Sequence, residues 1–238
     1  LNLGPVAGLL PFRTAGAGWA FMVAGVCSLL ATAATAAMRQ AARPQQIATV
    51  LPLGERLVEK RALFSAAMLA LTYISFVPLS TYMPLTFRAL GLDGVEWYFL
   101  GVGLTGTVAR LALAGRVDRL GRTAALAVGM TLELGGLALL LFASDLWLLV
   151  ATGVLFQLGG AIVEPTLYAI VIDRTPPERR GVAMATCTAA FQLGDGVGST
   201  AFGWMIEHLG HRIMLATTWT PTALALAIVG LKGRREQR

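Results

Sequence analysis

Charged residues in this chain fall in short clusters, and the stretches between them are apolar and about as long as a lipid bilayer is thick. A helix needs roughly 20 mostly apolar residues to cross about 30 Å of hydrocarbon. Stretches of that order run Gly18–Met38, Ala62–Phe87, Trp97–Ala114, Thr123–Ala143, Leu146–Ile172, Val182–Ile206 and Ile213–Leu231, after a shorter one at Leu1–Phe12. A barrel strand would need only about 9–11 residues and would alternate polar with apolar, so the spacing predicts helices. Within lipid every backbone N–H and C=O must find its partner inside the protein. The expected class is therefore all-α and integral to the membrane. Composition agrees: 56% of residues are hydrophobic and 13% charged, against about 25% charged in soluble domains.

The segment from Arg39 to Arg61 breaks the pattern, with seven charged residues around Pro44 and Pro52. It reads as an aqueous linker. The resulting division is residues 1–38, linker 39–61, a six-span bundle 62–231 and a tail 232–238. If the linker is cytoplasmic, successive loops alternate sides, and fifteen Arg and Lys residues fall on its side. Arg13, Arg88 and Arg212 fall on the other, and Arg110 lies inside a span. That asymmetry predicts a cytoplasmic linker and C-terminus. It also accounts for the net charge of +6 without a nucleic-acid partner, because the basic residues sit in loops between spans rather than on one soluble face. Lys occurs only at 60 and 232 among many Arg, Ala and Gly residues, a composition pointing to a GC-rich bacterial genome and so to the inner membrane. Cys27 and Cys187 lie in apolar stretches and are expected to be buried thiols. No signal-peptide pattern opens the chain, and Leu1 is expected to be internal to a longer protein.

Between the third and fourth spans the sequence reads Ala114-Gly115-Arg116-Val117-Asp118-Arg119-Leu120-Gly121-Arg122, a tight basic hairpin. Gly121 permits a backbone conformation closed to other residues, and Asp118 could accept from the amides at a neighbouring helix N-terminus. A solvated turn obeying the positive-inside rule is the plainer reading. The loop resembles the signature of the major facilitator superfamily, Gly-x-x-x-Asp-Arg-x-Gly-Arg-Arg/Lys, in the copy between that family's eighth and ninth helices. Asp118, Arg119, Gly121 and Arg122 match, whereas Ala114 replaces the leading Gly and Thr123 the last basic residue.

Other segments resemble the same family in order. Asp173-Arg174-Thr175-Pro176-Pro177-Glu178-Arg179-Arg180-Gly181 is similar to its loop between helices ten and eleven. A helix rich in small residues follows, where Gly194 and Gly198 allow close backbone approach, as an interface between the two halves of a carrier or ordinary helix packing would need. Thr81-Tyr82-Met83-Pro84-Leu85 is similar to the outer end of helix seven. Gly4-Pro5-Val6-Ala7-Gly8 is similar to the end of the Gly-Pro-x-x-Gly-Gly motif of proton-coupled exporters, with Leu9 in the last position. The resemblance implies a complete C-terminal six-helix bundle, one further transmembrane helix, a remnant of helix five, and four preceding helices. It also implies a gating role for Gly115, Asp118, Arg119, Gly121 and Arg122.

Ionisable groups inside spans are costly, and each is a candidate for function. Glu164 precedes Pro165, which loosens the helical ladder, and the resemblance puts both on a cavity-lining helix; Glu164 leads as proton-coupling residue, with a fixed structural ion pair as the alternative. Asp195, among glycines, could titrate, bind a cation or bond across to the missing half. Glu133 is expected to have a structural partner, and Arg110 either to snorkel to the interface or to neutralise a carboxylate. Thr72, Tyr73, Ser75, Tyr82, Gln157 and Tyr168 offer uncharged hydrogen-bonding groups to a solute, although helix packing would also use them.

The expected function is a secondary carrier exporting a small organic solute, such as a drug or sugar, by proton antiport. Uptake by symport or uniport is the alternative within transport, and a membrane enzyme or scaffold the alternative outside it. The sequence has no His-Glu-x-x-His, Gly-x-Ser-x-Gly or phosphate loop, and His208 and His211 share one short segment, so no catalytic residue, cofactor or metal is expected. The expected partners are the lipid bilayer, the solute with protons, and the missing N-terminal helices.

Overall fold

The computed structural model describes residues 17–39, 58–113, 115 and 117–236. The chain divides into two compact units, Leu1–Val50 and Leu51–Arg238. In the first, one helix, α1, spans Ala17–Arg39. Its Ser28, Thr32 and Thr35 hydroxyls donate to carbonyls one turn back, those of Ala24, Ser28 and Ala31. Polar atoms on an apolar helix are thereby satisfied within it. Cys27 is exposed on this helix, whereas Cys187 in the second unit is buried, so only one of the two expected buried thiols lies in a core.

The second unit is all helical among the described residues. Its helices are α2 (Leu63–Ser80), α3 (Met83–Ala89), α4 (Val95–Leu113), α5 (Arg122–Leu140), α6 (Leu146–Arg174), α7 (Arg180–Leu209), α8 (His211–Thr217) and α9 (Thr220–Glu236). Two predicted spans are broken in two. Pro84 has no N–H to offer the Ser80 carbonyl, and Pro221 none for that of Thr217; α2 and α8 end at those residues. The Thr220 hydroxyl donates to the Thr217 carbonyl at 2.8 Å, taking the place of the missing amide. Pro78 and Pro165, by contrast, sit inside unbroken helices.

Four segments among the described residues are long and apolar enough to cross a membrane: Lys60–Ser80, Arg122–Leu140, Leu146–Arg174 and His211–Leu231. α4 and α7 match them in length but carry Glu96 and Arg110, or Asp195 with several Gly, Ser and Thr residues. Their lower hydropathy fits helices that face protein or water along one side rather than lipid all round.

α5 packs on α6, α6 on α4, α2 on α7, and α9 against both α5 and α2. One core cluster joins Met68 and Leu69 of α2, Met130 of α5, Leu167 of α6, Cys187 of α7 and Val229 of α9. The tightest seams are at glycines. A β-carbon on Gly194 would lie 2.5 Å from the Ala70 carbonyl oxygen, and one on Gly198 3.2 Å from the Ile74 Cα. These two glycines therefore serve the seam between α7 and α2, inside this bundle, and not an interface between halves.

The loops read as cytoplasmic gather at one end. Glu59 and Arg179 form an ion pair at 2.7 Å. The Glu59 amide donates to the Thr186 hydroxyl, and Arg61 reaches the Arg174 carbonyl. The last residues before the bundle are thus fastened to the loop preceding α7.

Candidate functional site

α6 is the longest apolar helix of the bundle. Asp145 caps its start, its carboxylate accepting from the Leu148 amide at 3.0 Å, the contact a Ser, Asp or Asn at that position supplies. Gln157, Glu164 and Tyr168 follow at intervals of seven and four residues, which bring them onto one face. Glu164 is 26% exposed, and the guanidinium of Arg110 on α4 meets it, Nη2 to Oε2, at 2.5 Å. From α2 the Tyr73 hydroxyl donates to the other oxygen, Oε1, at 3.2 Å. Two helices thus each bring one donor to a carboxylate carried by a third. Of the two readings of Arg110, neutralising a carboxylate is the one observed.

The geometry has chemical consequences. Both bonds are made to an ionised acceptor and are stronger than neutral ones, but Arg110 is 52% exposed, and solvent screening leaves such a pair worth about 1 kcal/mol or less. The pair therefore adds a polar contact to a seam between α4 and α6 that is held mainly by close packing, as at Gly106 against Gln157 and Gly153 against Val102. Beside it stands an aromatic wall. Tyr73 lies against Phe191 with ring centroids 4.7 Å apart and against Phe76 at 6.0 Å, and Phe76 stacks on Phe156 at 5.9 Å.

The other uncharged candidates divide. Tyr168 is half-buried on the Glu164 face, and Gln157 is buried against Gly106 of α4. Ser75 is fully buried and accepts from the Thr222 amide at 3.2 Å, joining α2 to the start of α9. Tyr82 donates to the Ser199 carbonyl at 2.6 Å, joining the break between α2 and α3 to α7. Thr72 is buried with no hydrogen-bond partner for its hydroxyl among the described residues. Asp195 is half-buried on α7 and is not brought to Glu164.

In the hairpin, Gly115 and Gly121 have φ of 73° and 76°, the left-handed region that glycine alone enters without strain. Gly121 turns the chain into α5. Asp118 and Arg119 belong to a short 3-10 turn; the Asp118 side chain lies outside the described ones, and Arg119 is exposed. Arg122, the first residue of α5, pairs with Asp173 in the last turn of α6, Nη2 to Oδ2 at 3.2 Å and Nε to Oδ2 at 3.3 Å. Asp173 opens the basic loop motif before α7, and nothing near it in sequence marks it as the acceptor for the hairpin's Arg122. Gly4, Pro5 and Gly8 lie outside the described residues. His208 stacks on Trp204 within α7, while His211 begins α8.

Known proteins resemble this chain in sequence and in fold. A profile described as Major Facilitator Superfamily matches residues 62–233. The chain is 27% identical over 179 residues to an uncharacterized MFS-type transporter, YhhS, of Salmonella typhimurium, covering 74% of this chain and 44% of that protein. It is 27% identical over 146 residues to the multidrug resistance protein MdtH of Yersinia pestis, covering 58% and 35%. Among solved structures, the peptide transporter POT in complex with alafosfalin superposes with a TM-score of 0.56 at 19% identity, over 80% of this chain and 40% of that one, a likeness of fold. The chain thus spans less than half the length of these relatives. With most of its own length matched, from Ala62 to Gly233, it belongs to the Major Facilitator Superfamily.

Proposed function

We propose that this chain is the C-terminal part of a secondary transporter that exports a small organic solute in exchange for protons, with Glu164 as the coupling residue. The observation that carries the reading is the convergence of Arg110 and Tyr73 on the Glu164 carboxylate. A partly exposed carboxylate inside the spans, held by two donors from two other helices, changes its contacts when it takes a proton, which alternating access requires. The aromatic wall at Tyr73 and Phe191 supplies a face for an apolar or cationic solute, and the multidrug-resistance name of MdtH supports export of such compounds.

The rest of the carrier is the further partner. Leu193, Val197 and Trp204 are exposed along α7, where they line an open groove with Gln192, Gly196 and Thr200. This face suits packing by N-terminal helices of the same protein. The charge asymmetry supports a cytoplasmic placement of the arginine-rich end, and the Arg-, Ala- and Gly-rich composition supports a bacterial inner membrane.

The test is transport by the full-length carrier in vesicles under an imposed pH gradient, with ethidium as probe solute. Glu164→Gln is expected to reduce gradient-driven movement to a small residual rate while leaving ethidium binding within about twofold. Gradient-driven movement at the wild-type rate in that variant would exclude Glu164 as the coupling residue.

A further inference from the structure

Glu133 is an ionisable group inside the spans that the Glu164 contact does not use. It lies within α5, whose other ionisable residue is Arg122 at the helix start. It is fully buried, at 0% exposure, and neither of its carboxyl oxygens has a hydrogen-bond partner among the described residues. The expected structural partner is therefore not found among the described residues. Desolvating a carboxylate with no donor is far more costly than burying an apolar side chain of the same size, and ionisable groups placed so within spans mark proton and ion paths.

The seam between α5 and α6 shows which way this carboxyl faces. A β-carbon on Gly159 would strike the Glu133 Cγ and backbone nitrogen, at 2.7 and 2.8 Å. One on Gly160 would meet a single atom within 4 Å, the Glu133 Oε1, at 3.7 Å. The carboxyl thus lies against the bare backbone of Gly160, which is partly exposed. Glu164 comes four residues later on α6, on the same face, and the two carboxyls are near enough for their charges to interact. Arg110 and Tyr73 face Glu164 from α4 and α2, and Tyr168 follows it on α6. α9, which also packs on α5, carries no ionisable residue from Thr220 to Leu231.

We propose that Glu133 is a second proton-carrying residue of the carrier, exchanging its proton with Glu164 past Gly160. This rests on Glu164 as the coupling residue. While Glu164 is ionised and paired with Arg110, the proton resides on Glu133. When the pair opens, the O–H bond of Glu133 breaks as one forms on a Glu164 oxygen, directly or through one water. An acid and a carboxylate change places, and the two residues together keep one negative charge.

Two measurements on the full-length carrier test this. Infrared difference spectra at neutral pH are expected to show a carboxylic-acid C=O band in the wild type that Glu133→Gln lacks, a signature that a purely structural Glu133 with no bound proton would not give. In vesicles, Glu133→Gln is expected to lower pH-driven ethidium transport at least tenfold with binding retained. Gly160→Ala, whose added methyl makes only ordinary contact, is expected to slow transport several-fold with the band intact. Superimposable spectra, or wild-type transport in Glu133→Gln, overturn the role of Glu133 alone. A wild type indifferent to the pH gradient overturns the coupling role of Glu164 and this inference with it. Should Glu133→Gln fail to fold, wild-type transport in Gly160→Ala overturns the exchange.

Discussion

Arg110 on α4 and Glu164 on α6 are 54 residues apart in sequence, yet the guanidinium Nη2 stands 2.5 Å from the carboxylate Oε2. Neighbouring helices hold the two chains of atoms in register, while half of the arginine side chain stays exposed. The contact is thus both well defined and cheap to undo.

If Arg110 acts through Glu164, their substitutions are not additive. Arg110→Gln alone is expected to lower pH-driven transport by about tenfold, on the order of 1.4 kcal/mol. Combined with Glu164→Gln it is expected to add less than about twofold to the loss from Glu164→Gln alone. Rates from the four proteins in vesicles measure the coupling, and fully multiplicative losses would mean that the two residues act separately.

Gly194 sets the distance between α7 and α2. Gly194→Ala drives a methyl group into the Ala70 carbonyl, a backbone atom that cannot step aside, and is expected to destabilise the protein by about 1–3 kcal/mol. Gly230→Ala in α9 meets nothing within 4 Å and is expected to be neutral or slightly stabilising through helix propensity. Thermal unfolding in detergent separates the two, and equal midpoints would remove the close approach as the reason for glycine at 194.

The ion pair of Glu59 with Arg179 fastens the end of the linker to the loop before α7. The Glu59 side chain is only 6% exposed, and it also accepts from the Arg61 amide at 3.2 Å. Glu59→Gln removes the charge but keeps an oxygen acceptor. It is expected to cost about 1–3 kcal/mol, less than breaking a fully buried pair because Arg179 is 30% exposed. Faster proteolytic cleavage at the neighbouring arginines is the accompanying sign. Unchanged midpoint and cleavage would show that the contact contributes no stability.

Spans were legible because their signals are local. Asp145 caps α6, Gly121 opens α5, and the charged clusters end the apolar stretches within a few residues of the observed helix ends. The breaks at Pro84 and Pro221 were also local, since each proline withholds one amide from a carbonyl four residues earlier, yet hydropathy runs through both and hides them. Partnerships were not legible. Nothing near Arg110 in sequence distinguishes a side chain that snorkels from one that meets Glu164, because the answer depends on which faces of α4 and α6 meet. For the same reason Gly194 and Gly198 announced a close contact without naming α2, and Glu133 gave no hint that its oxygens would lie against the bare backbone of Gly160.

The interruptions at Pro84 and Pro221 have a consequence for how the bundle can move. α3 and α8 are short rods set off from the long helices, and a hydrogen bond of 2.8 Å between His211 Nε2 and Thr86 Oγ1 ties one to the other. A tilt of either rod is carried to the other through that bond, and it is resisted where Tyr82 holds the Ser199 carbonyl of α7 and Thr220 holds the Thr217 carbonyl.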